Sequence, residues 1–373
     1  MQALSAMRRD LDGLGAIGRR RSLAPRRGID FTSNDYLALA ASARLRDAAL
    51  TAIGRGVAIG SGGSRLLRGN TDEHEALEAE AAAFFNAAAA LFMASGYAAN
   101  AMLFATLPQR GDLVVHDALV HASAHEGMRL GRADTAAFDH NDVNAAADAI
   151  AAWRRGGGTG TPWIAVESLY SMDGDRAPLA DFAALAERTQ AMLLIDEAHA
   201  TGLYGADGRG LAAAWQGREN VVTLHTCGKA MGAEGALILG PGIVRDVLVN
   251  RGRGFIFSTA PSPLIAAVVR EAIRALADEP QRRTRLDVLV AHAGAVLGPL
   301  GVSLSGSAIQ PIVIGEDART MAIAAALQAQ GFDVRGIRPP TVPAGTARLR
   351  ITLTLNIDEA AVSDLAAVLA PHL

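Results

Sequence analysis

The stretch Val221-Val222-Thr223-Leu224-His225-Thr226-Cys227-Gly228-Lys229 runs from a β-branched, apolar segment into a glycine-bounded turn and ends on an amine. Lys229 is the one lysine in 373 residues, and arginine supplies the rest of the 35 basic side chains. A general exchange of surface lysine for arginine accounts for the scarcity. It does not account for where the survivor sits. Arginine replaces lysine as a surface charge, but its guanidinium stays protonated and cannot form a Schiff base. The position therefore reads as a covalent amine at the end of a buried strand.

Working outward, similar apolar runs occur at 90–94, 112–115, 163–167, 192–196 and 236–239, with 221–226 among them. Helix-length segments separate most of them. Short apolar strands alternating with helices predict an α/β fold with a mostly parallel central sheet and helices on both faces. Asn70, with Glu73 three residues on, reads as a helix cap. Leu77, Ala81, Phe84 and Phe85 then mark the buried face of that helix. Ser262 and Pro263 start another helix, running to about residue 276. The pattern changes near 285. Strands are expected at 310–314 and 348–354, with a helix at 321–330 between them and another at the end of the chain. Arg348, Arg350, Thr352 and Thr354 alternate with Ala347, Leu349, Ile351 and Leu353, which predicts a half-exposed sheet. The expected division is an N-terminal arm (1–45), a large domain (46–284) and a small C-terminal α+β domain (285–373).

Composition narrows the function. Apolar residues make up 50% of the chain and the net charge is −3. Neither a nucleic-acid nor a membrane-surface partner is indicated. The basic cluster of Arg19, Arg20, Arg21, Arg26 and Arg27 reads as a solvated face or an anion clamp. Residues 81–109 carry no charge, but Asn86, Ser95, Gly96, Tyr97 and Asn100 interrupt them, so a helix end, a strand and a second helix start are expected there. A single cysteine, Cys227, allows no intrachain disulfide. With no signal-peptide layout at the start, a cytoplasmic setting is expected.

Parallel sheets place ligands beyond the carboxyl ends of their strands. Four expected strand ends carry polar groups: Ser95-Gly96-Tyr97; Glu167, with Ser171 beyond it; Asp196 with His199; and Thr226 with Lys229. Asp196 is a carboxylate at the mouth of a core strand and needs a donor or cation. Gly96-Tyr97 opens a helix and offers free N–H groups to a phosphate. His121 could stack on an aromatic ring, or be structural. There is no HExxH or Cys/His cluster to suggest a metal, and no GxGxxG after an early strand to suggest a nicotinamide dehydrogenase. An amine, a carboxylate for a ring nitrogen, a phosphate seat and a stacking imidazole together suit pyridoxal 5′-phosphate.

The segments SNDYLAL (33–39), GSGGSR (60–65), SGYAAN (95–100), HAS (121–123), SMDGDRAPL (171–179), DEAHATG (196–202), TCGKAMG (226–232) and FSTAP (257–261) resemble the α-oxoamine synthases, fold-type-I pyridoxal-phosphate enzymes. Ser168, Leu169 and Tyr170 depart from the family's pattern. IRPPTVPAGTARLR (337–350) favours the branch that joins L-alanine to a pimeloyl thioester in biotin synthesis. The resemblance implies that Lys229 carries the internal aldimine, that Asp196 pairs with the pyridinium nitrogen and His199 with the phenolic oxygen, and that His121 lies on the ring face. Gly96, Tyr97, Ser171 and Thr226 would hold the cofactor. Arg338 would take the amino-acid carboxylate, with Thr341, Asn34 and Arg19 as further substrate contacts. It also implies a homodimer with the site between subunits. Two alternatives stay open: a sister synthase using glycine or serine, and a non-catalytic sensor or subunit on the same fold.

Overall fold

The apolar runs become strands because both of their faces are covered. The computed structural model describes residues 2–23 and 25–373. After a short strand at Ile29–Asp30 (β1), one sheet is built from Ala89–Met93 (β2), Leu113–Asp117 (β3), Asp134–Phe138 (β4), Pro162–Glu167 (β5), Met192–Asp196 (β6), Val221–Thr226 (β7) and Ala236–Gly240 (β8). Its order is β2-β8-β7-β6-β5-β3-β4. Only β8 runs against its neighbours; the pairings from β7 through β4 are parallel. Every residue of β2, β3, β5, β7 and β8 is buried. Each large apolar side chain taken out of water there contributes about 1.5–3 kcal/mol. All six expected strands are present. β4 was not anticipated: it is an edge strand in which only Phe138 is buried, so its sequence carries no apolar run.

Gln2–Ala16 (α1) buries no residue, and Ala43–Gly54 (α2) follows it in the chain. In Asp72–Phe85 (α3), Leu77, Ala81 and Phe85 are buried as expected, while Phe84 is only half-buried. The cap is corrected. Thr71 caps α3, with its N–H donating to His74 Nδ1 at 3.3 Å. Asn70 is instead drawn outward, accepting from Arg65 and donating to Glu75. Gly96–Thr106 (α4) and Ala122–Leu130 (α5) each start directly above the cleft. The uncharged span 81–109 is the end of α3, β2 and α4, and no helix among the described residues is long and apolar enough to cross a membrane. Ser262 caps the helix Pro263–Asp278, accepting from the Ile265 N–H.

A second, three-stranded antiparallel sheet contains Ile309–Gly315 (β9), Arg335–Ile337 (β11) and Ala347–Thr352 (β12), in the order β11-β12-β9. Phe332–Asp333 (β10) pairs with β1, which ties the N-terminal segment to this sheet. The helix between β9 and β10, Asp317–Ala329, begins a turn earlier than expected. The half-exposed reading of the last strand is overturned: all six residues of β12 are buried, including Arg348 and Arg350. Their polar face turns toward the large sheet's strand-end loops rather than toward water.

Candidate active site

The carboxyl ends of β5, β6 and β7 lie side by side, with Glu167 opposite Asp196 and Asp196 opposite Leu224. α4 crosses above them. Ser95 caps it by accepting from the Ala98 N–H at 3.1 Å. The N–H groups of Gly96 and Tyr97 have no partner among the described residues. A Cβ on Gly96 would stand 3.5 Å from Thr226 Oγ1, so this helix start and the end of β7 are in contact. One turn into α4, Asn100 Nδ2 donates to Asp196 Oδ2 at 2.6 Å and contacts Ser123 Oγ at 3.2 Å. The Ala198 N–H takes the other Asp196 oxygen at 2.9 Å. Both carboxylate oxygens are thus held in place, and His121 lines the same cavity as Asp196, Glu167 and Asn100.

Lys229 Nζ lies 2.7 Å from His199 Nε2, and His199 Nδ1 lies 2.7 Å from the Tyr36 hydroxyl. Burial, followed by the Lys229 and Arg350 charges, holds His199 well below its ordinary value, so the ring is neutral. Desolvation lowers the Lys229 amine to about 8, with Arg350 pushing the same way and Asp196 and Glu167 opposing. A substantial neutral fraction near pH 8 is what a nucleophilic amine requires. Glu167 is buried with Oε1 unpartnered. Desolvation and the neighbouring Asp196 raise it well above the carboxylate range. His121 is held below its ordinary value by desolvation and by Lys229, against Asp196. Its ring stands edge-on to Tyr97 at 6.3 Å.

The second sheet contributes an arginine that the sequence reading passed over. Arg350 Nε donates to the Ser171 carbonyl at 2.6 Å, one Nη to Thr352 Oγ1 at 2.7 Å and the other to Asn34 Oδ1 at 3.1 Å. Asn34 Oδ1 also accepts from Tyr36. A continuous polar chain therefore runs from Lys229 through His199, Tyr36 and Asn34 to Arg350. Its signal was present in the sequence as two arginines on one strand face, read as solvated. Asn100 was overlooked because it lies in an alanine-rich helix.

The structure brings Gly96, Tyr97, His121, Asp196, His199, Thr226 and Lys229 together, with Asn34 and Ser171 joined through Arg350. It does not bring in the remaining substrate candidates. Arg19 is ion-paired with Asp317 at 2.8 Å. Arg338 and Thr341 lie in the β11–β12 connection, where the Thr341 N–H donates to the Arg338 carbonyl at 3.1 Å. The Arg338 guanidinium makes no hydrogen bond or ion pair among the described residues.

Residues 26–369 match the family model for aminotransferase class I and II. The chain is 43% identical to a protein of Anaeromyxobacter dehalogenans named 8-amino-7-oxononanoate synthase, over 99% of this chain and 95% of that protein. Its fold superposes on a Francisella tularensis 8-amino-7-oxononanoate synthase with a TM-score of 0.78 at 25% identity, covering 92% of this chain and 97% of the other. It also superposes on a high-resolution structure of SPT with PLP as internal aldimine, with a TM-score of 0.86 at 26% identity, covering 99% and 96%. The chain belongs to the aminotransferase class I and II family and, within it, to the 8-amino-7-oxononanoate synthases.

Proposed function

We propose that the chain catalyses the decarboxylative condensation of L-alanine with a pimeloyl thioester, of coenzyme A or of an acyl carrier protein, to 8-amino-7-oxononanoate, CO2 and free thiol in biotin synthesis. The observation that carries this reading is the Lys229 amine, 2.7 Å from His199 Nε2 and within reach of the charge of the Asp196 carboxylate, which Asn100 holds fixed. The donor set fits pyridoxal 5′-phosphate: an amine with lowered basicity, a braced carboxylate, and two unpartnered N–H groups at the start of α4. Lys229 would hold the cofactor, Asp196 its ring nitrogen, His199 its phenolic oxygen and His121 its ring face. Gly96, Tyr97, Thr226 and Ser171 would seat the rest. When bound, the cofactor supplies an electron sink for a carbanion at the amino-acid Cα.

The chain's own residues supply position and protons. Once the alanine amine has taken its place, the freed Lys229 Nζ would take the alanine Cα proton as general base and return a proton after CO2 leaves. Arg338, whose guanidinium has no partner among the described residues, grips the alanine carboxylate through paired N–H groups. Arg350 is already anchored and adds a fixed positive charge that acts on Lys229. Asn34, Thr341 and Arg19 are assigned to substrate contacts, Arg19 toward the acyl group.

We divide the work between a cofactor-binding domain (46–284) and a small domain (285–373) that closes on it with the 1–45 arm; the β1–β10 pairing supports that grouping. The active unit is a homodimer. The exposed apolar side chains of Ile59, Leu66, Leu67 and Phe257 support this, since they flank segments bonded to each other through the Ala260 N–H and the Gly63 carbonyl. A cytoplasmic enzyme suits the single buried thiol.

The test supplies alanine, glycine and serine, each with pimeloyl and acetyl thioesters. Release of CO2 and thiol from alanine with the pimeloyl ester is expected. Turnover of only glycine or serine assigns a sister synthase, and an alanine-dependent spectral change without turnover assigns a sensor.

A further inference from the structure

We propose that His140 is a positioning residue for this reaction: its ring clasps the loop leading to His121 and the turn that anchors Arg350. The inference rests on the functional reading above. His140 lies just beyond the edge strand β4, outside every motif that marks the site. Its Nδ1 lies 2.9 and 3.1 Å from the two Asp117 oxygens, and its Nε2 lies 2.8 Å from Asp175 Oδ2.

Each carboxylate fastens a different part of the cleft. Asp117, fully buried at the end of β3, also accepts the Leu119 N–H at 2.8 Å and the Asn141 N–H at 2.7 Å. That fixes the backbone two residues before His121. Asp175 also accepts from Asn141 Nδ2 at 2.8 Å. Its carbonyl takes the Tyr170 N–H at 2.9 Å, which closes the turn. That turn carries the Ser171 carbonyl that accepts from Arg350, and Asp173, which pairs with Arg348. Gly174, at φ +69, sits where a Cβ would be 2.4 Å from the Ile309 carbonyl, so the turn is pressed onto β9. One imidazole therefore joins the ring-face histidine of the large sheet to both buried arginines of the small one.

Two carboxylates on opposite ring nitrogens require both nitrogens to donate, which only the charged ring can do. The groups facing His140 are Asp117 from β3, Asp175 from the turn and the Asn141 amide nitrogen, 3.2 Å from Nε2, with Tyr170 edge-on at 4.4 Å. Asp173 and Arg319 line the adjoining cavity. Despite partial burial, the two carboxylates raise His140 to about 10. The folded value exceeds the unfolded one. The clasp's contribution is therefore fully present below about 6.5 and is lost as pH rises through about 10.

The test uses wild-type, His140→Gln and Asp175→Asn holoenzyme, each titrated with L-alanine while cofactor absorption is followed. His140→Gln should need about 10-fold more alanine for half-saturation, because a small misplacement of a binding group is costly. Its far-UV circular dichroism should be unchanged. Asp175→Asn should shift the same way by less, and it carries the test if the glutamine variant does not fold. The Tm advantage of wild type over His140→Gln should shrink as pH approaches 10. Normal wild-type titration with both variants matching it, or a pH-independent Tm gap, overturns the clasp alone. A wild type that gives no alanine-dependent change overturns the functional reading, and the clasp falls with it.

Discussion

The two sides of the cleft are built differently. On the cofactor side, Asp196, His199, Thr226 and Lys229 sit at or just past the ends of adjacent parallel strands, and Asn100 and Tyr36 lock two of them. On the side proposed for substrate, Arg338 and Thr341 occupy a connection between strands, Arg19 is held by Asp317, and Arg350 and Asn34 are braced into the network. A sheet fixes the positions of its strand ends by backbone pairing, so chemistry placed there is preorganised before any ligand arrives. Residues on connections lack that backbone pairing, and binding residues are disproportionately found on such loops.

That contrast sets the order of expected losses. Lys229→Ala removes both the amine and the base, and turnover should fall by at least about 10³-fold while the chain still folds. Near-normal turnover would remove the cofactor side from the account. Arg350→Gln should fall next, by about 10²-fold in kcat/KM, because it strips a charge-assisted anchor from a buried site. It should also raise the pH midpoint of cofactor capture, since Arg350 lowers the Lys229 amine. Arg338→Gln should act mainly on binding, raising the alanine KM about 10-fold, with a smaller fall in kcat because the carboxylate it grips is the group that leaves as CO2. If the two arginine variants behave identically, the distinction between a fixed and a free cation is wrong. Asn100→Ala should cost least, roughly 5–10-fold in PLP affinity, in line with one charge-assisted hydrogen bond to Asp196. Equilibrium titration with the cofactor checks it.

The same contrast explains what the sequence made legible. Lys229, Asp196 and His199 were visible because each closes or follows an apolar run, and strand ends of a parallel sheet are where ligands sit. The alternation in β12 was visible too, but its meaning was not. Period-two polarity says that one face is polar; it does not say whether that face meets water or another part of the chain, and here Arg348 and Arg350 meet the 171–175 turn. Thr71 displaced Asn70 as the α3 cap because Arg65 and Glu75 compete for the asparagine side chain. β4 stayed hidden because an edge strand buries too little to need an apolar sequence. The Asp117–His140–Asp175 contact joins residues on three separate segments, and no local pattern announces it.

The central claim is that one amine holds the cofactor aldehyde, and Lys229 is the chain's one lysine. Cofactor-free protein is incubated with pyridoxal 5′-phosphate across a pH series, reduced with borohydride and digested, and the labelled peptide is sequenced by mass spectrometry. One phosphopyridoxyl group is expected, on Lys229, with capture rising through a midpoint near 8. A label confined to the terminal amine, or no label at all, contradicts that claim.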